Sequence, residues 1–282
     1  MDETLVFDAC SIINIMRIDS DNEFLEDWIR NKSPKIAETV IREVMDNYNK
    51  NPLDNDVRER INKNAPMLYC YQTTNEEIRS FDQNIMMNEL VKFSNHQKKP
   101  NGELFSAGLC LKEHKESGKM TLFITDDYPA HKEFSEYFSL HQIGYIIDTV
   151  DLLLIIYHRS KDASFSKYQL IEYITRMKRR YGSEYIEIIE NVKAIADKLV
   201  NRKKAKDKKL GYKLYNITEG LVKNPELGIT ELKKVIVDLN DYDSKLLKYK
   251  LESLKADPPA IFKKLSHIEY ALKNFKIYRS EV

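Results

Sequence analysis

Short apolar runs alternate with helical patterns along the first 157 residues, and this alternation is the strongest constraint on the fold. The runs that indicate strands are residues 5–7, 34–38, 66–72, 120–125 and 144–149. Strands separated by helices pair in parallel, and the helices pack on the faces of the sheet. The alternation therefore predicts an α/β fold in which a parallel sheet is flanked by helices.

The segments between these runs carry apolar residues at helical spacing. We predict helices over residues 12–17, 23–30, 39–45, 74–95, 103–116, 129–140 and 150–157. Thr74 and Glu77 stand at the spacing of a capping box, in which each side chain binds a backbone N–H near the start of the helix. This pair predicts that the helix over 74–95 begins directly after Thr74.

The strand signal disappears after residue 160. The rest of the chain predicts six helices, over residues 168–180, 184–200, 209–222, 229–239, 244–255 and 259–277. Polar or glycine- and proline-containing breaks separate them, among them 181–182 and 241–243. We therefore predict an α/β domain over residues 1–159 and an all-α domain over residues 160–282.

Charge is distributed unevenly between the two parts. The chain carries a formal net charge of +1. Residues 1–150 hold 17 basic and 26 acidic side chains, a balance of −9, and residues 151–282 hold the remaining 28 and 18, a balance of +10. Such asymmetry indicates a division of labour, in which the acidic part holds a metal and the basic part meets a polyanion or an acidic partner.

Cysteine usage and the termini bear on the compartment. Cys10, Cys70 and Cys110 are far apart, odd in number and set in apolar surroundings, so they predict buried free thiols rather than disulfides or a zinc site. The first residues are acidic and lack the basic and apolar regions of a signal peptide. The apolar stretch at 150–157 is too short to span a bilayer. We expect a cytoplasmic protein without a membrane segment.

Asp8 is the first candidate site residue, because it ends the apolar run at 5–7. Open α/β sheets bind their ligands at the carboxyl ends of the strands, which is where this carboxylate would lie. Asp is also a preferred N-cap, so the alternative is that Asp8 only caps the helix that follows. The rest of the sequence has to distinguish a site residue from a cap.

Further acids occupy comparable positions on later elements. Glu43 lies in the helix after the second run, Glu103 opens the helix after a polar loop, and Asp126 and Asp127 end the run at 120–125. Clustered carboxylates repel one another unless a cation neutralises them, and their hard oxygen atoms suit Mg²⁺ or Mn²⁺. Each acid alone has an ordinary interpretation as an exposed helix residue, a turn or a cap.

Four stretches carry a resemblance to a known family. They are Leu5-Val6-Phe7-Asp8-Ala9-Cys10-Ser11, Val40-Ile41-Arg42-Glu43-Val44, Gly102-Glu103-Leu104-Phe105-Ser106-Ala107-Gly108-Leu109 and Leu122-Phe123-Ile124-Thr125-Asp126-Asp127. In this order they resemble the PIN-domain ribonucleases, whose members include toxins of bacterial toxin–antitoxin modules. The resemblance covers about residues 3–157, and the helices after residue 160 lie outside it.

The resemblance implies a PIN-like parallel sheet, dependence on Mg²⁺ or Mn²⁺ and cleavage of RNA. On this basis Asp8, Glu43, Glu103 and Asp127 would be catalytic and would bind metal. Asp126 remains an alternative metal ligand, because the family's Thr-x-Asp spacing selects Asp127 but this chain has paired acids. The hydroxyl groups of Ser11 and Thr125 would hydrogen-bond the carboxylates or a phosphate.

The basic part offers candidate nucleic-acid contacts. Two dense runs contain Arg176, Lys178, Arg179, Arg180, Arg202, Lys203 and Lys204, with tyrosines interleaved. Lysine and arginine neutralise phosphates and aromatic rings stack on bases, which suits single-stranded RNA. The alternatives are a solvated charge run, or docking of an acidic partner such as an antitoxin or an oligomer mate.

The ordered acids predict a metal-dependent hydrolase, and the resemblance implies that it is an endoribonuclease in a toxin or defence setting. The alternative is a binding or assembly module on a PIN-like fold, in which the acids are not catalytic. The scattered histidines, including His114 and His131, are expected to be structural or exposed rather than metal ligands.

Overall fold

A computed structural model describes residues 3–19, 24–50, 55–81, 85–93, 100–159, 165–223, 225–239, 241–253 and 258–274. Internal contacts divide the chain into two compact units, residues 1–173 and 174–282. The first contains the strands and the helices between them, and every element described in the second is a helix. The predicted boundary between residues 159 and 160 stays a prediction.

The first unit is built on short parallel strands. They are β1 (Thr4–Phe7), β2 (Ile36–Ala37), β3 (Gln72–Thr73), β4 (Thr121–Ile124) and β5 (Gly144–Ile147). β4 lies between β1 and β5, with Leu5 opposite Leu122 and Leu122 opposite Tyr145, and β2 pairs with β3. The α/β class and the parallel pairing predicted from the sequence are thus confirmed.

Backbone hydrogen bonds connect the two strand groups. Lys35, just before β2, donates to the carbonyl of Leu5 at 2.8 Å and accepts from the N–H of Phe7 at 3.4 Å. The backbone groups of Thr4 and Asp8 point the other way, toward β4. Because alternate residues of a strand face opposite neighbours, the chain before β2 lies on the side of β1 away from β4. The strands therefore follow the order β3, β2, β1, β4, β5.

Helices connect successive strands and cover the sheet. They are α1 (Ala9–Ile18), α2 (Phe24–Asn31), α3 (Glu38–Lys50), α4 (Asn55–Cys70), α5 (Asn75–Ser80), α6 (Ile85–Phe93), α7 (Gly102–Ser117), α8 (Tyr128–Leu140) and α9 (Thr149–Arg159). Helix α7 packs against β1, β2, β4, α3, α5 and α6. Its side chains are buried on all faces from Leu104 to Leu111, as expected of a helix at the centre of a core.

The second unit consists of helices in its described part. They are the remainder of α10 (Lys167–Val200), with α11 (Ala205–Lys223), α12 (Pro225–Ile236), α13 (Asp241–Ser253) and α14 (Pro258–Asn274). Helices α11 and α12 approach closely, because a Cβ atom on Gly228 would lie 2.6 Å from the backbone nitrogen of Leu221. None of the helices in the described ranges combines the length and apolarity needed to cross a membrane.

The predicted strand over 66–72 is wrong for most of its length. Helix α4 continues through Pro66 to Cys70, and only Gln72–Thr73 form a strand. The buried side chains of Val57, Ile61 and Leu68 recur at helical spacing, so packing extends the helix although Pro66 has no N–H for an intrahelical hydrogen bond.

Three other element predictions need correction. The predicted break at 181–182 is absent, since α10 runs unbroken to Val200 with Met177, Tyr181 and Ile188 buried along one face. The residues at 241–243 open α13 rather than separate two helices. The helix predicted over 74–95 is two helices, α5 and α6. Its capping box at Thr74 is confirmed. Residues 23, 94–95, 254–255 and 275–277 of the predicted helices lie outside the described residues.

The prediction of free thiols is confirmed, but the prediction that all three cysteines are buried is wrong. All three cysteines are free thiols, and Cys110 is buried, but Cys70 is exposed because it ends α4 at the surface. The ring of His114 bonds the carbonyl oxygen of Lys119 at 2.8 Å, and the ring of His131 lies 3.1 Å from the hydroxyl of Ser135.

Candidate active site

The strand order places one crevice at the carboxyl ends of β1 and β4. The chain moves outward from β1 through β2 to β3 on one side, and β4 and β5 lie on the other side. In open α/β sheets, ligands bind where the strand order reverses in this way. Asp8 follows β1 directly, and Thr125, Asp126 and Asp127 follow β4. The predicted site residues at these strand ends are therefore neighbours.

Asp8 is fully enclosed and held by hydroxyl and amide donors. Only 2% of the surface of Asp8 is exposed. Its Oδ1 accepts hydrogen bonds from the backbone N–H and the hydroxyl of Ser11, both at 2.7 Å, and its Oδ2 accepts one from the hydroxyl of Thr125. The Ser11 hydroxyl also lies 2.8 Å from the carbonyl oxygen of Ile124. These contacts join α1 to the end of β4.

Asp8 is at once the N-cap of α1 and a residue of the crevice. The bond from Ser11 N–H is the N-cap bond of α1, so the two interpretations left open by the sequence are compatible. Burial raises the pKa of the Asp8 carboxyl to about 7, although the hydrogen bonds from Thr125 and Ser11 lower it, and the charge of Asp126 raises it further. The carboxylate is thus costly to ionise at this position.

Asp126 serves as a structural tie between three elements. Its Oδ2 accepts hydrogen bonds at 2.5 Å from the side-chain amide of Asn14 on α1 and from the hydroxyl of Thr149 on α9. Its Oδ1 accepts from the backbone N–H of Thr149 at 3.2 Å. Both carboxylate oxygens are therefore engaged by the protein itself.

Asp127 has a buried carboxylate oxygen, Oδ1, that lacks a hydrogen-bond donor among the described residues. Burial and the charges of Asp8 and Glu133 raise the pKa of Asp127 above its ordinary value, whereas the hydrogen bond between its carboxyl group and that of Glu103 lowers it. Two carboxyl groups in contact need a proton or a cation between them.

Residues 101–103 connect α3 with the start of α7. The N–H of Gly102 donates to Oε1 of Glu43 at 2.8 Å, and the side-chain amide of Asn101 donates to Oε2 of Glu103 at 2.9 Å. Asn101 also caps α7 by accepting from the N–H of Leu104 at 3.2 Å. A Cβ atom on Gly102 would lie 2.3 Å from Glu43 Oε2, so a larger residue here would displace the Glu43 carboxylate from this position.

Together these contacts bring the candidate acids to one region but not into a closed cation shell. Asp8, Asp126, Asp127 and Glu103 interact through charge or hydrogen bonds, and Glu43 binds the residue before Glu103. In the described ranges, no three of these five acids bring one oxygen each within 4.8 Å of one another. The acids are adjacent, and each carboxylate keeps its own hydrogen-bond partners.

The donor set fits a hard divalent cation. Carboxylate oxygens are the ligands that Mg²⁺ and Mn²⁺ prefer. Asp127 combines a buried Oδ1 that lacks a donor among the described residues with a hydrogen bond between its carboxyl group and that of Glu103, and a cation would neutralise such an arrangement. Between the paired acids, Asp127 therefore fits a ligand better than Asp126, whose oxygens already accept three hydrogen bonds.

Several residues of this region were not among the sequence predictions. Asn14 is a completely buried amide in an otherwise apolar run, Thr149 opens α9, and Asn101 precedes an apolar helix as an N-cap. A polar residue inside an apolar run and an Asn before a helix are signals that a sequence does carry. What they bind is not readable from the sequence, because their partners are far along the chain.

The predicted nucleic-acid contacts fall into two groups with different surroundings. Lys178 pairs with Glu269 at 3.0 Å, and the guanidinium of Arg180 lies 5.3 Å from the centre of the Tyr181 ring. The exposed Arg179 and the half-buried Arg176 lie on the same helix, α10. The second group follows that helix, where Arg202, Lys203 and Lys204 are exposed.

Comparisons with known proteins add nothing to this geometry. A scan against protein-family models, a search of curated proteins and a search of solved structures each found no match. Any functional inference therefore depends on the residues of this chain.

Proposed function

We propose that the protein is a metal-dependent endoribonuclease with a PIN-like nuclease domain. The observation that carries the proposal is the contact between the carboxyl groups of Asp127 and Glu103 beside the buried Asp8, at the point where the strand order reverses. Carboxylates gathered in this way are unfavourable for a structural role alone, because desolvation and mutual repulsion both raise their pKa.

In this proposal Asp8, Glu43, Glu103 and Asp127 hold Mg²⁺ or Mn²⁺. The cation would lower the pKa of a water molecule and neutralise charge on the phosphodiester oxygens. Ser11 and Thr125 fix the orientation of the Asp8 carboxylate by donating to its two oxygens, and Asp126 ties α1 and α9 to the end of β4. Gly102 positions Glu43 through its N–H.

The proposed substrate is RNA, and the proposed setting is a cytoplasmic toxin or defence system. The basic side chains of the second unit supply charge for RNA contact. An antitoxin or another acidic protein, or a second copy of the chain, is the proposed kind of protein partner. These choices follow the resemblance of the four acidic stretches to PIN-domain ribonucleases.

Cleavage of RNA by the full chain tests the proposal. End-labelled RNAs of varied sequence are incubated with Mg²⁺, Mn²⁺ or EDTA, and internal cleavage is followed on gels. We expect cleavage only with a divalent cation, and a loss of more than about 100-fold in Asp127→Asn, because a ligand is removed without loss of volume. Glu136→Gln, an exposed acid on α8, is the matched control. Cation-independent cleavage, or full activity of Asp127→Asn, contradicts the proposal.

One observation favours the alternative, a binding or assembly module with non-catalytic acids. Both oxygens of Asp8 accept hydrogen bonds from the protein, as a structural N-cap would. A module of this kind binds RNA or a protein partner without cleaving RNA in any cation. Retained RNA binding together with inert wild-type protein would select it.

A further inference from the structure

The densest concentration of positive charge lies where α10 ends and α11 begins. We call residues 198–213 the basic tip. It contains eight Lys and Arg side chains and a single acid, Asp207, whereas the whole chain has a net charge of only +1. All eight basic residues are exposed. The rest of the molecule therefore carries net negative charge, and the basic tip is the place where a polyanion would be attracted.

Most of these charges are not neutralised by the protein. Arg202 lies 3.7 Å from Asp207. Within the described residues, no carboxylate pairs with the seven lysines of the basic tip. Lysines without acidic neighbours are available to displace the counterions of a nucleic-acid backbone.

The position of the charges is unfavourable for the helix that carries them. Helix α11 begins at Ala205, so Arg202, Lys203 and Lys204 precede it and Lys206 and Lys208 lie in its first turn. The N-terminus of a helix carries partial positive charge and favours acidic residues. Asp207 is the only acid in this turn. A charge arrangement that opposes helix stability indicates that it serves an external ligand.

An exposed aromatic ring accompanies the charges. Tyr212 is 58% exposed, one helical turn after Lys208 and Lys209. Side chains separated by three or four positions share a face of a helix, so this ring and these lysines lie side by side. Tyr215, one turn further, donates its hydroxyl hydrogen to Asp197 of α10 and is thereby oriented. A ring beside lysines can stack on a base while the lysines bind phosphates.

We infer that the basic tip is a binding site for single-stranded RNA, with lysines on the backbone and Tyr212 under a base. The choice of RNA rests on the proposed nuclease function, since the charges alone specify only a polyanion. The inference assigns RNA contact to Arg202, Lys203 and Lys204 rather than to Lys178 and its neighbours on α10. The leucines and the valine of the basic tip are buried or half-buried, so its exposed ring suits a nucleobase better than a lipid surface.

Equilibrium binding of a fluorescent 20-nucleotide poly-U to the full chain tests the inference. All proteins carry Asp127→Asn and the buffer contains EDTA, so neither cleavage nor a cation at the acidic site affects the result. The tip variant is Lys203→Gln with Lys204→Gln, and the matched control is Lys245→Gln with Lys248→Gln, two exposed lysines of α13. Affinity is measured over a series of salt concentrations.

We expect the tip variant to bind more weakly and to reduce the slope of log Kobs against log[salt] by about 1.4, which corresponds to two phosphate contacts on a single strand. Tyr212→Ala should weaken the affinity for poly-U roughly 5-fold to 150-fold without changing this slope. Tyr212→Trp keeps an aromatic ring at this position and should bind poly-U with the affinity of the parent protein. The control pair should bind like the parent protein.

Two results would overturn the inference: a tip variant that binds like the control, or equal affinity of the parent protein for polyglutamate or phosphatidylserine vesicles. The test is independent of catalysis. Wild-type protein that cleaves no RNA while the tip variant loses binding refutes the nuclease proposal alone. Cleavage by wild type together with normal binding by the tip variant refutes only the assignment of the basic tip.

Discussion

Asp8→Asn should stabilise the first unit at neutral and alkaline pH, because it removes a carboxylate that is costly to ionise. The Asp8 carboxyl has a pKa of about 7 in the fold against an ordinary value of 3.8. At 1.36 kcal/mol per pH unit, ionising it in the folded protein costs about 4 kcal/mol. The amide of Asn would lose the hydrogen bond from Thr125, which lowers the gain in stability by about 1 kcal/mol. Above pH 7 the free energy of unfolding of Asp8→Asn should therefore exceed that of wild type by about 3 kcal/mol.

The sign of the pH dependence follows from the raised pKa. The contribution of neutral Asp8 to stability is present in full below about pH 4, where the unfolded chain is also protonated. It is lost progressively as the pH rises to about 7, because the unfolded chain ionises first. Asn carries no charge at any of these pH values, so the variant should lack this part of the pH dependence.

Urea unfolding followed by tryptophan fluorescence measures the effect. Trp28 is the single tryptophan of the chain and lies on α2 in the first unit, so its emission reports the unit that contains Asp8. Titrations between pH 4 and pH 8 contain EDTA, which keeps divalent cations from binding the acids. Glu136→Gln serves as the exposed control and should change the free energy of unfolding by no more than about 0.5 kcal/mol.

The predicted stabilisation is refuted if Asp8→Asn is less stable than wild type at pH 8. It is also refuted if the difference between the two proteins is the same at pH 4 and at pH 8. Either result would mean that the hydrogen bonds from Ser11 and Thr125 outweigh the desolvation of the Asp8 carboxylate.

Two further substitutions test particular contacts of the first unit. Gly102→Ala should displace the flexible end of Glu43 and weaken Mn²⁺ binding, as measured by calorimetry. The free energy of unfolding should change by no more than about 1 kcal/mol. An unchanged affinity for Mn²⁺ would mean that Glu43 is not a metal ligand. Arg60→Met should lower the free energy of unfolding at pH 7 by about 3–5 kcal/mol, because Glu26 is 2% exposed and pairs with Arg60 at 2.9 Å. Adding Glu26→Gln should recover part of that loss, and no recovery would mean that packing rather than charge dominates.

The strand ends of the candidate site were predictable because their signals are local. All four residues of β4, which ends just before Thr125, are buried. The last three residues of β1, which ends just before Asp8, are buried as well. A run of apolar residues that ends in an acid predicts both the strand and the position of the acid relative to the sheet. The acids at these two strand ends could therefore be predicted as neighbours from sequence alone.

The distinction between Asp126 and Asp127 could not be predicted, because it depends on distant partners. Asn14 is 112 residues and Thr149 is 23 residues from Asp126, and only the folded sheet brings them to its carboxylate. The continuation of α4 through Pro66 also depends on tertiary packing. Local propensity at Pro66 indicates a helix end, but burial of Leu68 against the core continues the helix.

The pairing of β1 with β4 has a consequence for synthesis of the chain. The hydroxyls that hold Asp8 include that of Thr125, 117 residues later, and the Ser11 hydroxyl lies 2.8 Å from the carbonyl oxygen of Ile124, 113 residues away in the sequence. Until those later residues leave the ribosome, β1 lacks its β4 neighbour and the Asp8 carboxylate lacks the Thr125 hydroxyl. Closing so long a loop is entropically costly and slow. A nascent chain therefore lacks the acidic crevice until most of the first unit has been translated.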